Sequence, residues 1–496
     1  MADDSTERVA GDASFDDVSD TQELYIDGVW RSSESNAVRM VRNPATGKSL
    51  GTVPDGTRED IRRAVGAAND ATGTFSARSR FDRADLLHAA ADAINEAVEP
   101  LAKRLTAEQG KPLPEAISEI EGCAGKFRSS AEDIRRDELP TLPSQDPDKT
   151  IHIRREPHGV YGIITPWNYP VSTATTYLAP GLAAGNTVVW TPAPETSSVC
   201  LAFAAIIGEV LPDGVLNVVT GEGPTVGDEL VVNDEVDAIA FTGSSDVGEQ
   251  IANRSGTKPT LLELGGNGPV IVMDDADLVK AAERTAAGCF SNAGQICTAS
   301  ERILVHKAVV DEFTDRLVAI AEEITVGDPT HETTDMGPLN NPQVAEKMDR
   351  HVMEAREGSA EVRTGGYRVD DAPTDLYYKP TVITGVKPNM TVSTEESFGP
   401  IAPIEEVASA KEAFERANDS DFGLSMGVFT DSMKTAEMFI DRLEAGAVNV
   451  NDASSNWEAH TPVGGYTGKR SGVGRYGGRF TIEEMSQIKT VSVDTS

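Results

Sequence analysis

The spacing of apolar positions changes character near residue 160. Before it, Ala84, Leu87, Ala90, Ala91, Ile94 and Val98 recur every three or four residues, the period of a helix that buries one face. Helices are expected over 59–72 and 80–110, the second ended by Gly110 and Pro112. From 160 to 256 the apolar residues come instead in short unbroken runs, at 160–164, 187–190, 215–219 and 236–241. Segments of helical character at 173–184, 196–211 and 224–232 lie between them. Unbroken apolar runs alternating with helices predict parallel βαβ units. A second series follows residue 266, with strands near 269–273 and 302–306 and helices near 277–288 and 308–324. The Pro-rich 139–148 reads as a connection, and 488–493 as a strand pairing with another segment or another subunit. No internal repeat is evident.

Composition narrows the class. The chain has 496 residues, enough for two or more domains with their own cores, and no apolar run long enough to span a membrane. Acidic residues number 80 against 44 Lys plus Arg, a formal charge of −36. Such a balance excludes a basic face for nucleic acid. The acids are dispersed, as in Asp274-Asp275-Ala276-Asp277, which reads as surface solvation and suggests adaptation to concentrated salt, where screening removes self-repulsion. Residues 1–20 are acidic and poor in large apolar side chains, so a disordered tail is expected there. They carry no basic-then-apolar signal, and the cytoplasm is the expected compartment. The cysteines Cys123, Cys200, Cys289 and Cys297 show no metal-ligand or disulfide spacing, and the seven histidines add none. No metal is expected. Cys123, Cys200 and Cys289 read as small buried apolar residues.

Two strings carry chemistry. Leu261-Leu262-Glu263-Leu264-Gly265-Gly266-Asn267 sets a carboxylate among apolar residues, and Gly294-Gln295-Ile296-Cys297-Thr298 sets a lone thiol behind a turn. A thiol forms covalent adducts with carbonyl carbons, and a desolvated carboxylate activates the water that releases them. Ligands of parallel sheets bind beyond the carboxyl ends of the strands, where Pro166-Trp167-Asn168, Thr191-Pro192-Ala193 and Thr242-Gly243-Ser244 fall. The Gly243-Ser244 turn, followed by a helix that includes Gly248, suits a pyrophosphate. It equally fits an ordinary strand–helix turn, and the GxGxxG fingerprint is missing. Taken singly, Cys297 fits a buried core thiol, Glu263 a partnered carboxylate and Asn168 a turn residue; their joint occurrence in distinctive strings raises all three.

In these strings the chain resembles the aldehyde dehydrogenase superfamily. The likeness runs from Glu108-Gln109-Gly110-Lys111-Pro112 through Thr165-Pro166-Trp167-Asn168-Tyr169-Pro170, Phe241-Thr242-Gly243-Ser244, Glu263-Leu264-Gly265-Gly266, Gly294-Gln295-Ile296-Cys297 and Glu396-Ser397-Phe398-Gly399-Pro400 to Ser471-Gly472-Val473-Gly474-Arg475 and Ile488-Lys489-Thr490-Val491. The resemblance implies an α/β fold in three parts: a Rossmann-like parallel-sheet cofactor domain (21–138 and 159–265), an α/β catalytic domain (266–480), and a small β oligomerisation element (139–158 and 481–496) that would make a homodimer or homotetramer. It implies Cys297 as nucleophile, Asn168 and the Cys297 N–H as oxyanion donors, and Glu263 as the base for hydrolysis of a thioester. It further implies a nicotinamide cofactor held by Thr165, Pro166, Trp167, Thr191, Gly223, Gly243, Ser244, Gly248, Leu264, Glu396 and Phe398. Retention of Glu263 implies a free carboxylic acid as product rather than a coenzyme A ester.

Some positions depart from the pattern. Thr191 stands where the family usually has a ribose-binding Lys, and Pro194 where an acid often favours NAD, with Glu195 one place later. NAD is expected, because no added Lys or Arg in this string would receive a 2′-phosphate; NADP stays open. Tyr169, Trp457, His460 and Val463 are candidate substrate contacts, and for Trp457 and His460 loop packing is an equal reading. The substrate class is a small aldehyde. An alternative is a semialdehyde dehydrogenase for a carboxylated substrate such as succinic semialdehyde, with Lys469 and Arg470 as candidate cations. A non-enzymatic alternative is an inactive homologue, against which the joint retention of Asn168, Glu263, Cys297 and Glu396 argues.

Overall fold

The computed structural model describes residues 23–496; the expected tail at 1–20 lies outside them. The helices form where apolar spacing asks for them. Arg58–Ser76 starts at a capping box, Thr57 accepting from the Asp60 N–H while Asp60 accepts from Thr57, which satisfies backbone donors that a helix start leaves free. The expected helix at 80–110 is two, Arg80–Glu96 and Val98–Gln109, broken at Ala97, whose φ of −108° and ψ of 12° are not helical. Gly110 closes the second in the left-handed conformation, at φ 99°, where a Cβ would be strained. A long helix, Leu113–Arg135, follows.

The unbroken apolar runs assemble into an eight-stranded sheet in the order Gly472–Val473, Thr260–Glu263, Ala238–Thr242, Val160–Thr165, Thr187–Pro192, Leu216–Val218, Leu24–Ile26, Val29–Arg31. Its five inner strands are parallel, and antiparallel strands cover both edges. Buried on both faces, the inner strands need no polar alternation. Chain order reverses between Val160–Thr165 and Ala238–Thr242, so the loops after them diverge and open a crevice. Trp190, fully buried, donates from Nε1 to Thr165 Oγ1 at 2.8 Å and ties the central strands together.

The second series forms a seven-stranded sheet, parallel except at the Glu361–Thr364 edge, with Pro269–Val272 and Arg302–His306 near its middle. The tail is a longer strand than expected, Ser486–Asp494, and pairs antiparallel with Lys149–Pro157 of the same chain. The Pro-rich stretch read as a connection contains a short strand, Thr141–Leu142, which joins this third sheet. Proline is tolerated beside it because the strand lies at a sheet edge. Among the described residues no helix is long and apolar enough to cross a membrane.

Candidate active site

The carboxyl ends of the first sheet and the loops of the second enclose one cavity of about 860 Å³. Cys297 reaches it through an unusual turn. Asn292, Ala293 and Gly294 are all left-handed, at φ 48°, 54° and 73°, a conformation that L residues hold only when neighbours enforce it. The enforcement is visible. The Asn292 N–H donates to the Glu115 carboxylate at 3.1 Å, the Gln295 amide donates to Asn292 O at 2.8 Å, and the Asn340 N–H donates to Gln295 Oε1 at 2.9 Å. A Cβ on Gly294 would stand 2.2 Å from Gly399 O, and one on Gly266 only 2.1 Å from Cys297 O. Gly266 therefore lets the backbone carrying Cys297 cross directly over the end of that strand, while Gly265 leaves room for the Glu396 carboxyl.

This crossing puts Glu263 against the thiol. Burial raises the Glu263 carboxyl from 4.5 to about 7, while the neighbouring Cys297 and Thr242 side chains oppose the rise. Oε1 of Glu263 is buried without a hydrogen-bond partner. Burial also pushes the Cys297 thiol well above its usual 9, and the adjacent Glu263 carboxylate pushes it further. The resting pair is thus a neutral thiol beside a carboxyl poised near neutrality. Cys123, Cys200 and Cys289 are free and buried, as small apolar residues would be; Cys297 alone of the four keeps some exposure.

Asn168, nearly buried, donates from Nδ2 to Gln295 O at 2.8 Å, two residues before the thiol. Its own carbonyl accepts from Lys111 Nζ at 2.9 Å and from Asn292 Nδ2 at 3.2 Å. Lys111 is itself buried, ion-paired to Glu119 at 2.5 Å and 3.7 Å from the Tyr169 ring centre. Glu119 in turn accepts the Val171 and Ser172 N–H groups at the start of the next helix. The 108–112 string holds Lys111 in this positioning role, which its spelling alone does not reveal. On the other wall, Glu396 Oε1 accepts the Gly266 N–H at 2.9 Å. Its loop is held by Glu301, which accepts the Ser397 and Phe398 N–H groups at 2.6 Å each and fixes Phe398 at φ 57°. The Phe398 ring stands edge-on to Trp167, centroids 5.6 Å apart.

Of the residues named from sequence, the cavity wall includes Pro166, Trp167, Asn168, Tyr169, Gly243, Ser244, Glu263, Leu264, Cys297, Glu396, Phe398, Trp457 and Val463. Others fall elsewhere. Thr165 is engaged with Trp190 inside the sheet. Thr191 is buried, its hydroxyl unpaired. Gly248 packs its helix on Leu264, where an added Cβ would meet that side chain at 2.2 Å, and Gly223 opens a π-helical turn. His460 is exposed beside Glu458 at 3.5 Å and is not among the residues lining the cavity. Lys469 and Arg470 are spent on Glu444 and on Asp246 and Glu249. Glu195, the acid displaced by one place, is on the wall, and unforeseen wall residues include Lys126, Tyr177, Lys347 and Tyr476. They lie outside any motif, so only tertiary packing reveals them.

The cavity fits a dinucleotide. The helix Ser245–Arg254 begins at Ser244 without a side-chain cap, leaving backbone donors and a positive helix end facing the wall. Glu195 and Glu396 line the same space and could accept hydrogen bonds from ribose hydroxyls.

The chain belongs to the aldehyde dehydrogenase family, whose pattern matches residues 30–491. It is 38% identical over 490 residues to the chloroplastic betaine aldehyde dehydrogenase of Beta vulgaris, covering 96% of this chain and 97% of that one. It is 37% identical over 476 residues to the alpha-ketoglutaric semialdehyde dehydrogenase of Bacillus subtilis (strain 168), covering 95% and 97%. In three dimensions it superposes on the Staphylococcus aureus betaine aldehyde dehydrogenase solved in complex with NAD+, with a TM-score of 0.93 at 34% identity, covering 96% and 95%.

Proposed function

We propose that this enzyme oxidises an aldehyde to its carboxylic acid with NAD(P), through an acyl group carried on Cys297. The observation that carries the reading is the Cys297 thiol in contact with a Glu263 carboxyl raised to about 7, inside one cavity that also holds Asn168 and Glu396. Ser244 and the uncapped helix start would hold the pyrophosphate. Glu396 would hold the nicotinamide ribose, with Phe398 and Trp167 bounding the ring. Glu195 would accept the adenosine 2′-hydroxyl and repel a 2′-phosphate, which favours NAD over NADP. When bound, the nicotinamide supplies a hydride acceptor.

The chain's own groups supply the rest. The Cys297 thiol gives its proton up to solvent in the cavity as Sγ bonds to the carbonyl carbon. The oxygen becomes an oxyanion, for which Asn168 Nδ2 and the Cys297 N–H are donors, a contribution of about 3 kcal/mol in comparable sites. After oxidation the carbon is a thioester. Glu263 then removes a proton from water as its oxygen attacks, and Sγ leaves as the acid forms.

By the same reading, residues 139–158 and 481–496 form an element that joins subunits into a dimer or tetramer, 21–138 with 159–265 form the cofactor domain and 266–480 the catalytic domain, and the enzyme works in the cytoplasm. Its charge of −36 supports adaptation to concentrated salt, which the dependence of melting temperature on KCl measures.

The function is tested by NADH absorbance with short aldehydes in molar KCl, with NAD and NADP compared. Wild type should form NADH faster with NAD, and Cys297→Ala should form none. Turnover that survives Cys297→Ala overturns the covalent mechanism.

A further inference from the structure

Two lysines line the cavity outside the chemistry above: Lys347 donates to Glu396 O at 3.2 Å beside the Glu396 and Glu301 carboxylates, whereas Lys126 lies away from them. Lys126, on the helix Leu113–Arg135, donates from Nζ to Ser172 O at 2.8 Å, Ser172 Oγ at 2.7 Å and Thr176 Oγ1 at 2.8 Å. All three acceptors are neutral. The acid whose charge reaches it, Glu119, is already ion-paired with Lys111. Lys126 is therefore a desolvated ammonium without a carboxylate of its own, and the surface it keeps lines the cavity. An uncompensated charge in such a place is unfavourable unless an anion completes it.

Its neighbours place it at the Trp457 end of the cavity. Nζ stands 5.3 Å from the Trp457 ring centre, Trp457 packs on Tyr476 with centroids 6.1 Å apart, and Tyr476 lies close enough to Cys297 and Glu263 to feel both charges. Ser118, Thr173 and the hydroxyls holding Lys126 make this end polar.

We propose that Lys126, with Ser172 and Thr176, binds the anionic end of the substrate, so that the preferred aldehyde carries a carboxylate at its far end. The inference rests on the aldehyde oxidation proposed above and names its substrate class. It sets this chain apart from relatives named for betaine aldehyde. A quaternary ammonium is held by open aromatic faces. Here Trp457 faces the Lys126 ammonium and Tyr169 the Lys111 ammonium, so two of the aromatic surfaces lining the cavity already stand beside positive charge.

The test measures kcat/KM for succinic semialdehyde, butanal and betaine aldehyde on wild type, Lys126→Met and Lys126→Arg, each expressed as a ratio to butanal so that a general loss cancels. In wild type the succinic semialdehyde ratio should exceed one by roughly 10- to 100-fold, the range of a charge-assisted contact. Lys126→Met should bring it down at least about tenfold and raise the betaine aldehyde ratio, and Lys126→Arg should restore the anionic preference. A wild-type ratio at or below one, or a ratio indifferent to Lys126→Met, overturns the inference while leaving aldehyde oxidation intact. Should Lys126→Met not fold, the wild-type ratio and Lys126→Arg still decide. Absence of NADH with all three aldehydes on folded wild type would overturn the oxidation itself.

Discussion

Replacing Glu263 by Gln separates the two halves of the reaction. Gln keeps the shape but cannot accept a proton, so hydrolysis of the acyl enzyme loses its base. The structure sets the size of the effect. Burial lifts the carboxyl from 4.5 to about 7, a shift worth roughly 3 kcal/mol between its two forms, and it makes the group far more basic at neutral pH than an exposed glutamate. A positioned base of that strength contributes about 10²- to 10⁴-fold. Acylation responds differently, because the Glu263 charge raises the Cys297 thiol, and removing it lowers the barrier to thiolate formation. Rapid-mixing NADH absorbance should show a burst of about one NADH per subunit in Glu263→Gln, followed by a steady rate about 10²- to 10⁴-fold slower than wild type. The sign of the pH dependence follows from the base form being the active one. In wild type the steady rate should climb as pH rises through about 7, being near one-tenth of its plateau about one unit below, and Glu263→Gln should lack that climb. A steady rate unchanged by the substitution, or a burst lost together with it, would refute the assignment of Glu263 to hydrolysis.

Gly266→Ala should damage the site without touching a reacting group. Its Cβ would stand 2.1 Å from Cys297 O, which only a backbone shift relieves; displacement by about 1 Å lowers turnover near 10²-fold, and a variant within twofold of wild type in kcat would show that the crossing is not tight. Melting temperature should rise with KCl into the molar range as counterions screen the surface charge of −36; a flat profile by circular dichroism would remove the salt-adaptation reading.

The elements of the fold were legible in the sequence because they rest on local pattern. Apolar runs at 160–164, 187–190 and 236–241 sit where strands form, since a strand buried on both faces advertises itself without partners. The strings around Glu263 and Cys297 were legible too, because Gly266 and Gly294 are demanded by close backbone approaches that leave a fixed spelling. The helix break at Ala97 and the strand at Thr141–Leu142 were not, since both depend on what packs against them.

Charge was the property that sequence alone assigned least well. Lys469 and Arg470 stood close to the loop expected to shape the substrate path, yet ion pairs with Glu444, Asp246 and Glu249 consume them. Lys126, unremarkable on its helix, meets Ser172 and Thr176 only because that helix packs on the one beginning at Pro170. The sequence by itself determined which residues can react and which segments must be strands. The tertiary structure decided which cations carry an acid partner and which carries none, because a charge is neutralised or left alone by neighbours distant in the chain, and no local spacing records them.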